Sequence, residues 1–223
     1  MSEPTKLGEG LSEALARFER TIFDESRVAE NERLAKEHQE AEARARRRER
    51  LEALGIELEH KLHRRVTSDQ DLKSTVSLIA VKRWLPRRDV PPMLVLHGKG
   101  GCGKSAAAAY AVANWEQSAC WSSAADLIRT FSGNFGDVLK RQEALKRSRL
   151  LVLDDVGTEV DAVRMCAALI ELLDERKQRK TIVTTNLNRE AWLARYPDER
   201  FHSRLKESAA FVGDKGPDLR GQP

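Results

Sequence analysis

Aromatic side chains make up only 5% of this 223-residue chain, which argues against base stacking as the main way it would hold a nucleic acid. Cysteine is scarce as well. Cys102, Cys120 and Cys166 are odd in number and far apart, with no C-x-x-C pair and no Cys/His cluster. A zinc module is therefore not expected, and free thiols suit a reducing cytoplasm. The segment opening Met1-Ser2-Glu3-Pro4 lacks the apolar run of a signal peptide, and no later run approaches the length of a transmembrane helix. The expectation is a cytoplasmic protein with no membrane partner. Internal repeats and low-complexity linkers are also missing, and the length suits one domain with an appendage better than two full domains.

What the chain has in quantity is charge. Charged residues are 33% against 40% hydrophobic, and the net charge of +4 with a pI near 9.0 permits an acidic partner such as nucleic acid without requiring one. Over residues 1–65 proline and glycine almost vanish after Gly10, and Glu, Arg, Ala and Lys dominate, as in long solvated helices. The charge there is blocky. Asp24 to Glu42 holds seven acids (Asp24, Glu25, Glu30, Glu32, Glu37, Glu40, Glu42) against three bases, net −4, and Arg44 to Arg50 holds five arginines against Glu49, net +4. This reads as an exposed helix with an acidic and a basic stretch. Leu51, Leu54 and Leu58 fall at helical spacing, but no heptad repeat is sustained, which disfavours a long coiled coil.

From Ser68 the pattern changes. Ser68 or Asp69 can cap a helix with Leu72, Val76, Ile79, Ala80 and Trp84 on one face, ended by Pro86 and Pro91-Pro92. Short apolar runs at Met93–Leu96, Leu150–Leu153 and Thr181–Thr184 suit strands of a parallel sheet covered on both faces. Helix-like segments lie between them, at 105–115, 124–131, 135–147 and 161–177. Alternating strands and helices predict βαβ units, hence a three-layer α/β domain over residues 66–223 preceded by a charged helical segment over residues 1–65.

Gly98-Lys99-Gly100-Gly101-Cys102-Gly103-Lys104-Ser105 fits G-x-x-x-x-G-K-[ST] without a mismatch, with an apolar strand before it and an alanine-rich helix after it. Glycines let the backbone curl so that successive N–H groups face phosphates. Lys104 supplies a point charge for the β- and γ-phosphates, Ser105 a hydroxyl for Mg²⁺, and the new helix its positive end. ATP and Mg²⁺ are the expected ligands. Asp154-Asp155 then closes a buried strand 50 residues after Lys104. Asp154 is the expected Mg²⁺ partner through water, in the manner of a Walker B aspartate; Asp155 is the candidate for polarising the attacking water, with Glu159 a weaker one. Asn186, after Thr184-Thr185, could touch the γ-phosphate, although asparagine also caps strand ends without any catalytic role.

Taken together, Leu72 to Arg220 resembles the DnaC/IstB branch of AAA+ ATPases, bacterial helicase loaders and transposition helpers. The resemblance rests on the run from Leu150 to Glu159, on Lys180 to Leu187 with its T-T-N-L ending, and on Arg200-Phe201-His202-Ser203-Arg204-Leu205, an R-x-x-S-R-L helix. It implies a P-loop AAA+ fold and ATP hydrolysis. It also implies that Asn186 serves as sensor 1, Arg204 as an arginine finger for a neighbouring subunit, and Arg220 as a sensor 2 arginine. A finger acting in trans implies a homo-oligomer in the ATP state. Lys99 and Cys102 stand where family members more usually have Pro and Thr, a small departure because backbone groups hold the phosphates.

As a helicase loader, the chain would grip a replicative helicase through residues 1–65 and bind single-stranded DNA, with Arg129, Lys140, Arg141 and Lys146 as candidate contacts. The alternatives are a transposition helper that binds double-stranded DNA and an ATP-dependent switch with little turnover. A small-molecule kinase would need a lid and an acceptor pocket, for which the sequence gives no sign.

Overall fold

The computed structural model describes residues 13–18, 25–56, 66, 74–133 and 136–219, and the chain divides into two units, residues 1–45 and 46–223. In the first unit residues 13–18 are helical, and a long helix α1 (Glu25–Ala53) begins. Every residue from 27 to 42 is exposed. With no face buried there, α1 is carried by helix-forming residues and by i,i+4 pairs such as Arg33–Glu37 at 3.6 Å.

The second unit begins at Arg46, inside α1 rather than near residue 66. The reason lies in what the end of α1 packs on. Leu51 is fully buried together with Ile56 and Val66. Arg50 donates to the carbonyl of Ala113 (2.9 Å) and Arg47 to Asn114 (3.0 Å). Two arginines of the basic stretch thus complement the negative end of a helix in this unit. Leu58, Ser68, Asp69 and Leu72 lie outside the described residues. Helix α2 (Val76–Trp84) is capped by Thr75, whose hydroxyl accepts from the N–H of Leu78 at 3.1 Å. It buries Ser77, Leu78, Val81 and Trp84, whereas Val76 and Ile79 face outwards. The buried face is therefore rotated from the one expected.

Five strands, all parallel, form one sheet in the order β2-β3-β4-β1-β5: β1 (Met93–Gly98), β2 (Ala119–Ser123), β3 (Leu150–Val156), β4 (Lys180–Thr185) and β5 (Ala209–Asp214). Between them run α3 (Lys104–Ala113), α4 (Ala124–Ser132), α5 (Gly136–Arg147), α6 (Ala162–Glu175), α7 (Arg189–Arg195) and α8 (Glu199–Ser208). The strand period of two sorts the apolar runs onto two faces. Met93, Val95, Leu151, Leu153 and Val183 enter one core with Leu127, Leu145, Met165 and Leu169, whereas Leu94, Leu96, Leu150, Val152 and Ile182 enter the other with α2 and α3. Small side chains at Ala106 to Ala109, all buried, let α3 lie close to the sheet. This is the three-layer α/β architecture expected, a P-loop AAA+ fold.

One buried cation holds an edge of this unit together. Arg176, 3% exposed, donates to the carbonyls of Leu145 (2.6 Å), Ser148 (2.8 Å) and Lys180 (2.8 Å) and to the hydroxyl of Thr181 (3.1 Å). Burial, aided by the neighbouring Arg179 cation, lowers its pKa to about 10, so it stays charged at neutral pH. Methionine at this position keeps much of the volume but leaves buried carbonyls without donors. R176M is expected to cost about 3 kcal/mol, seen as a fall of roughly 6 to 12 °C in Tm by circular dichroism. A fall of under 2 °C would show that water replaces the guanidinium.

Candidate ATP site

The three strands β3, β4 and β1 are neighbours, so their C-terminal ends stand side by side at spacings of about 5 Å. Each end carries one part of the site: the glycine-rich loop after β1, Asp154 and Asp155 on β3, Asn186 after β4. A crevice outside the carboxyl ends of parallel strands is where α/β sheets bind ligands.

The loop is shaped by close approach and by handedness. At Gly98 a Cβ would meet the backbone carbonyl oxygen of Asp214 at 2.2 Å, and Gly103 has φ 99°, a left-handed conformation that favours glycine. Gly103 is also the N-cap of α3 and makes no side-chain capping bond. Among the described residues, α2, α4, α6, α7 and α8 all receive a cap from a Thr, Ser, Asp or Asn side chain. At α3 the sequence withholds it, which leaves the first N–H groups for an anion.

Lys104 is nearly buried. Its three ammonium hydrogens match three oxygens: the carbonyls of Gly98 and Lys99, each at 2.9 Å, and Oδ1 of Asn186 at 3.1 Å. The loop lysine and the T-T-N asparagine, 82 residues apart, are thus in direct contact. Burial first, then the Lys104 charge, hold the nearby His97 imidazole below its ordinary pKa. Cys102 is 1% exposed, with Sγ 3.8 Å from the Lys104 ammonium, so its thiol lies under the loop and not in the crevice.

The serine hydroxyl of Ser105 donates to Oδ1 of Asp154 at 2.8 Å. Two hard oxygen donors side by side suit Mg²⁺, which takes few protein ligands and fills its shell from phosphates and water. No cluster of three or more His, Cys, Asp or Glu exists among the described residues that would demand another kind of metal centre. Asp155 is exposed and takes φ 60°, where β3 slips register against β4 between Leu153 and Val156. Such left-handed positions on non-glycine residues cluster at functional sites. Gly100, Gly101, Gly103, Lys104, Ser105, Asp154, Asp155, Thr184 and Asn186 together line a cavity of about 260 Å³.

Two expected residues stand elsewhere. Glu159 is withdrawn: its side chain is 2% exposed and accepts from Tyr196 Oη (2.5 Å), Arg195 Nε (3.0 Å) and the N–H of Gly157 (2.8 Å). That satisfies a structural carboxylate and leaves Asp155 as the exposed acid beside Asp154 at the crevice. Arg204 sits on α8, one turn before β5 begins, and pairs with both oxygens of Asp174 (2.5 and 2.8 Å). Ala209 pairs with Met93 and Asp214 with Gly98, so Arg204 lies at the opposite end of the sheet from its own loop, about 17 Å away by strand length. Arg220 is outside the described residues, although its neighbour Leu219 donates to the carbonyl of Gly101 at 3.0 Å. The residue that sequence reasoning passed over is Thr184, whose hydroxyl donates to Asp154 at 2.5 Å.

The family model described as IstB-like ATP binding protein matches residues 9–208. The chain belongs to the IstB-like ATP-binding family. Among solved structures, the DnaC helicase loader is similar at 21% identity and TM-score 0.53, over 66% of this chain and 95% of that one. A DnaA replication initiator bound to AMPPCP and single-stranded DNA is similar at 16% identity and TM-score 0.57, over 72% of this chain and 51% of that one. AMPPCP-bound DnaA from Aquifex aeolicus gives 18% identity and TM-score 0.51, over 65% and 49%. At these identities the likeness is one of fold. This IstB-like chain spans about half the length of the DnaA structures it matches. No curated protein sequence matches it.

Proposed function

We propose that this IstB-like protein is an ATP-hydrolysing helicase loader, gripping a replicative helicase through its N-terminal segment and holding single-stranded DNA as an ATP-dependent homo-oligomer. The observation that carries the ATPase reading is the single cavity in which Lys104, Ser105, Asp154, Asp155 and Asn186 converge. Lys104 and the uncapped start of α3 hold the β- and γ-phosphates. Ser105, and Asp154 through water, would hold Mg²⁺, which when bound neutralises charge on those phosphates. Asp155, exposed at the cavity mouth, orients and deprotonates the attacking water, while Asn186, released from Lys104, contacts the γ-phosphate. Arg204 of a neighbouring subunit supplies the cation that its own site lacks.

For single-stranded DNA, the support is a second cavity of about 370 Å³ between α4 and α6, lined by Ile128, Phe131, Arg164, Ala167 and Glu171. Lys146 lies over the Phe131 ring at its edge and pairs with Glu171, and Arg129 pairs with Asp126. Lys140 pairs with Asp137, and Arg141 donates to the carbonyl of Trp121. Exposed pairs of this kind are worth little and release readily to phosphates. The second reading, a transposition helper on double-stranded DNA, is favoured by the IstB-like family match.

Phosphate release measured with no DNA, with single strands and with duplex separates the two. A loader is expected to be stimulated by single strands and to co-purify with its replicative helicase when ATP is present, with retention lost on removing residues 1–45, a cut that leaves Leu51 and Ile56 in the core of the second unit. Stimulation by duplex alone, with no helicase retained, would select the transposition reading. Tight ATP binding with neither stimulation would select a switch.

A further inference from the structure

We infer that Thr184 is a positioning residue for the Mg²⁺-bearing carboxylate, fixing at one hydroxyl both the side chain of Asp154 and the backbone of Asp155. This rests on the ATPase reading and deepens it.

The geometry leaves the hydroxyl no freedom. Thr184 is 1% exposed at the C-terminal end of β4, between the strand that carries the acids and the strand that feeds the loop. The N–H of Asp155 points at Oγ1 at 2.9 Å, and a backbone N–H can only donate. Oγ1 is therefore an acceptor on that side, and its single hydrogen goes to Oδ1 of Asp154 at 2.5 Å. That oxygen also receives the Ser105 hydroxyl at 2.8 Å. A carboxylate oxygen with two hydroxyl donors is fixed in rotation, and Ser105 keeps its lone pairs free for a cation. On the other side, the Asp155 N–H bond holds a residue at φ 60°, where the β3–β4 ladder slips and supplies no regular partner. One threonine thus couples the metal-side acid to the water-side acid.

Neighbouring Thr185 does a separate job. Its Oγ1 accepts from the N–H of Leu187 at 3.1 Å, and so shapes the turn that presents Asn186. The strand period of two sends the two hydroxyls to opposite faces. Thr184 alone faces the acids.

Valine matches threonine in shape and lacks the hydroxyl, so T184V removes both bonds with little change in volume. Serine restores the donor and acceptor. The test uses the full chain with ADP and Mn²⁺ as the spectroscopic stand-in for Mg²⁺, reading free Mn²⁺ by electron paramagnetic resonance. Nucleotide affinity without divalent ion is followed with a fluorescent ADP. T184V is expected to loosen Mn²⁺ roughly tenfold or more, to leave metal-free ADP affinity within twofold, and to be rescued by T184S. A general loss of structure would weaken ADP in both conditions. T184A, which leaves room for water, takes the place of T184V if that variant does not fold.

Wild-type-like Mn²⁺ affinity in T184V or T184A would overturn the inference while leaving the ATPase reading intact. So would a failure of T184S to restore it. If the wild-type chain itself binds no Mn²⁺ with ADP, the ATPase reading falls and this inference with it.

Discussion

Replacing Lys104 by alanine is expected to lower ATP turnover by roughly 10²- to 10³-fold, the scale of losing one preorganised charge at a transferring group. The magnitude follows from how the ammonium is held. Three oxygen acceptors place it at the centre of the cavity, and two of them are loop carbonyls that cannot move away without unfolding the loop. Incoming phosphate would therefore meet a charge already in position, displacing only its contact with Asn186. Alanine removes that charge and frees Asn186 from its contact. Fold stability should change little, because the carbonyls of Gly98 and Lys99 lie at the edge of an open crevice where water can take over. Arginine is not a rescue: its planar fork cannot make three converging bonds in the space of an ammonium. Phosphate release and fluorescent-nucleotide titration check the point together. K104A turning over within threefold of wild type, at equal nucleotide affinity, would remove this cavity as the ATP site.

The parts of the fold that were legible in the sequence are those buried on both faces. Met93–Leu96, Leu150–Leu153 and Ile182–Val183 read as continuous apolar runs because the sheet is covered on each side there. β2 and β5 did not show themselves, and both are edge strands. In β2, Ala-Cys-Trp-Ser-Ser alternates between half-buried and buried, and in β5 most of Ala-Ala-Phe-Val-Gly-Asp is only half buried. Neither makes a run that stands out from a loop. The phosphate loop and Asp154 were legible because chemistry dictates residue type at fixed spacing. What spacing could not reveal is Thr184: threonine at a strand end is ordinary β-propensity, and its role appears only once β3 and β4 are side by side. Glu159 failed as a candidate for the converse reason. Its withdrawal depends on Arg195 and Tyr196, at the C-terminal end of α7, and nothing local to Val156–Glu159 announces them.

The largest effect is expected at Arg204. Within one chain it is held by Asp174 at the far end of the sheet, so its loss should leave the local site intact: R204A is expected to bind ATP with wild-type affinity. Turnover should nevertheless fall by about 10³-fold or more, the range measured for arginines that stabilise phosphoryl transfer from a neighbouring protein. Acting in trans would require Arg204 to leave its pair with Asp174. The guanidinium beside it holds the Asp174 carboxyl below its ordinary pKa, yet the pair is partly exposed and releases at modest cost. Mixing decides whether the residue acts in trans. A K104A subunit has a dead loop and a live finger, and an R204A subunit has the reverse. In a head-to-tail assembly mixed at random in equal amounts, roughly one interface in four joins a live loop to a live finger. Two inactive proteins should therefore regain about a quarter of wild-type activity on mixing in the presence of ATP. Recovery requires that each subunit's finger serve its neighbour. Inactivity of the mixture, with assembly confirmed by light scattering, would show that Arg204 does not reach across an interface and that its ion pair with Asp174 is structural.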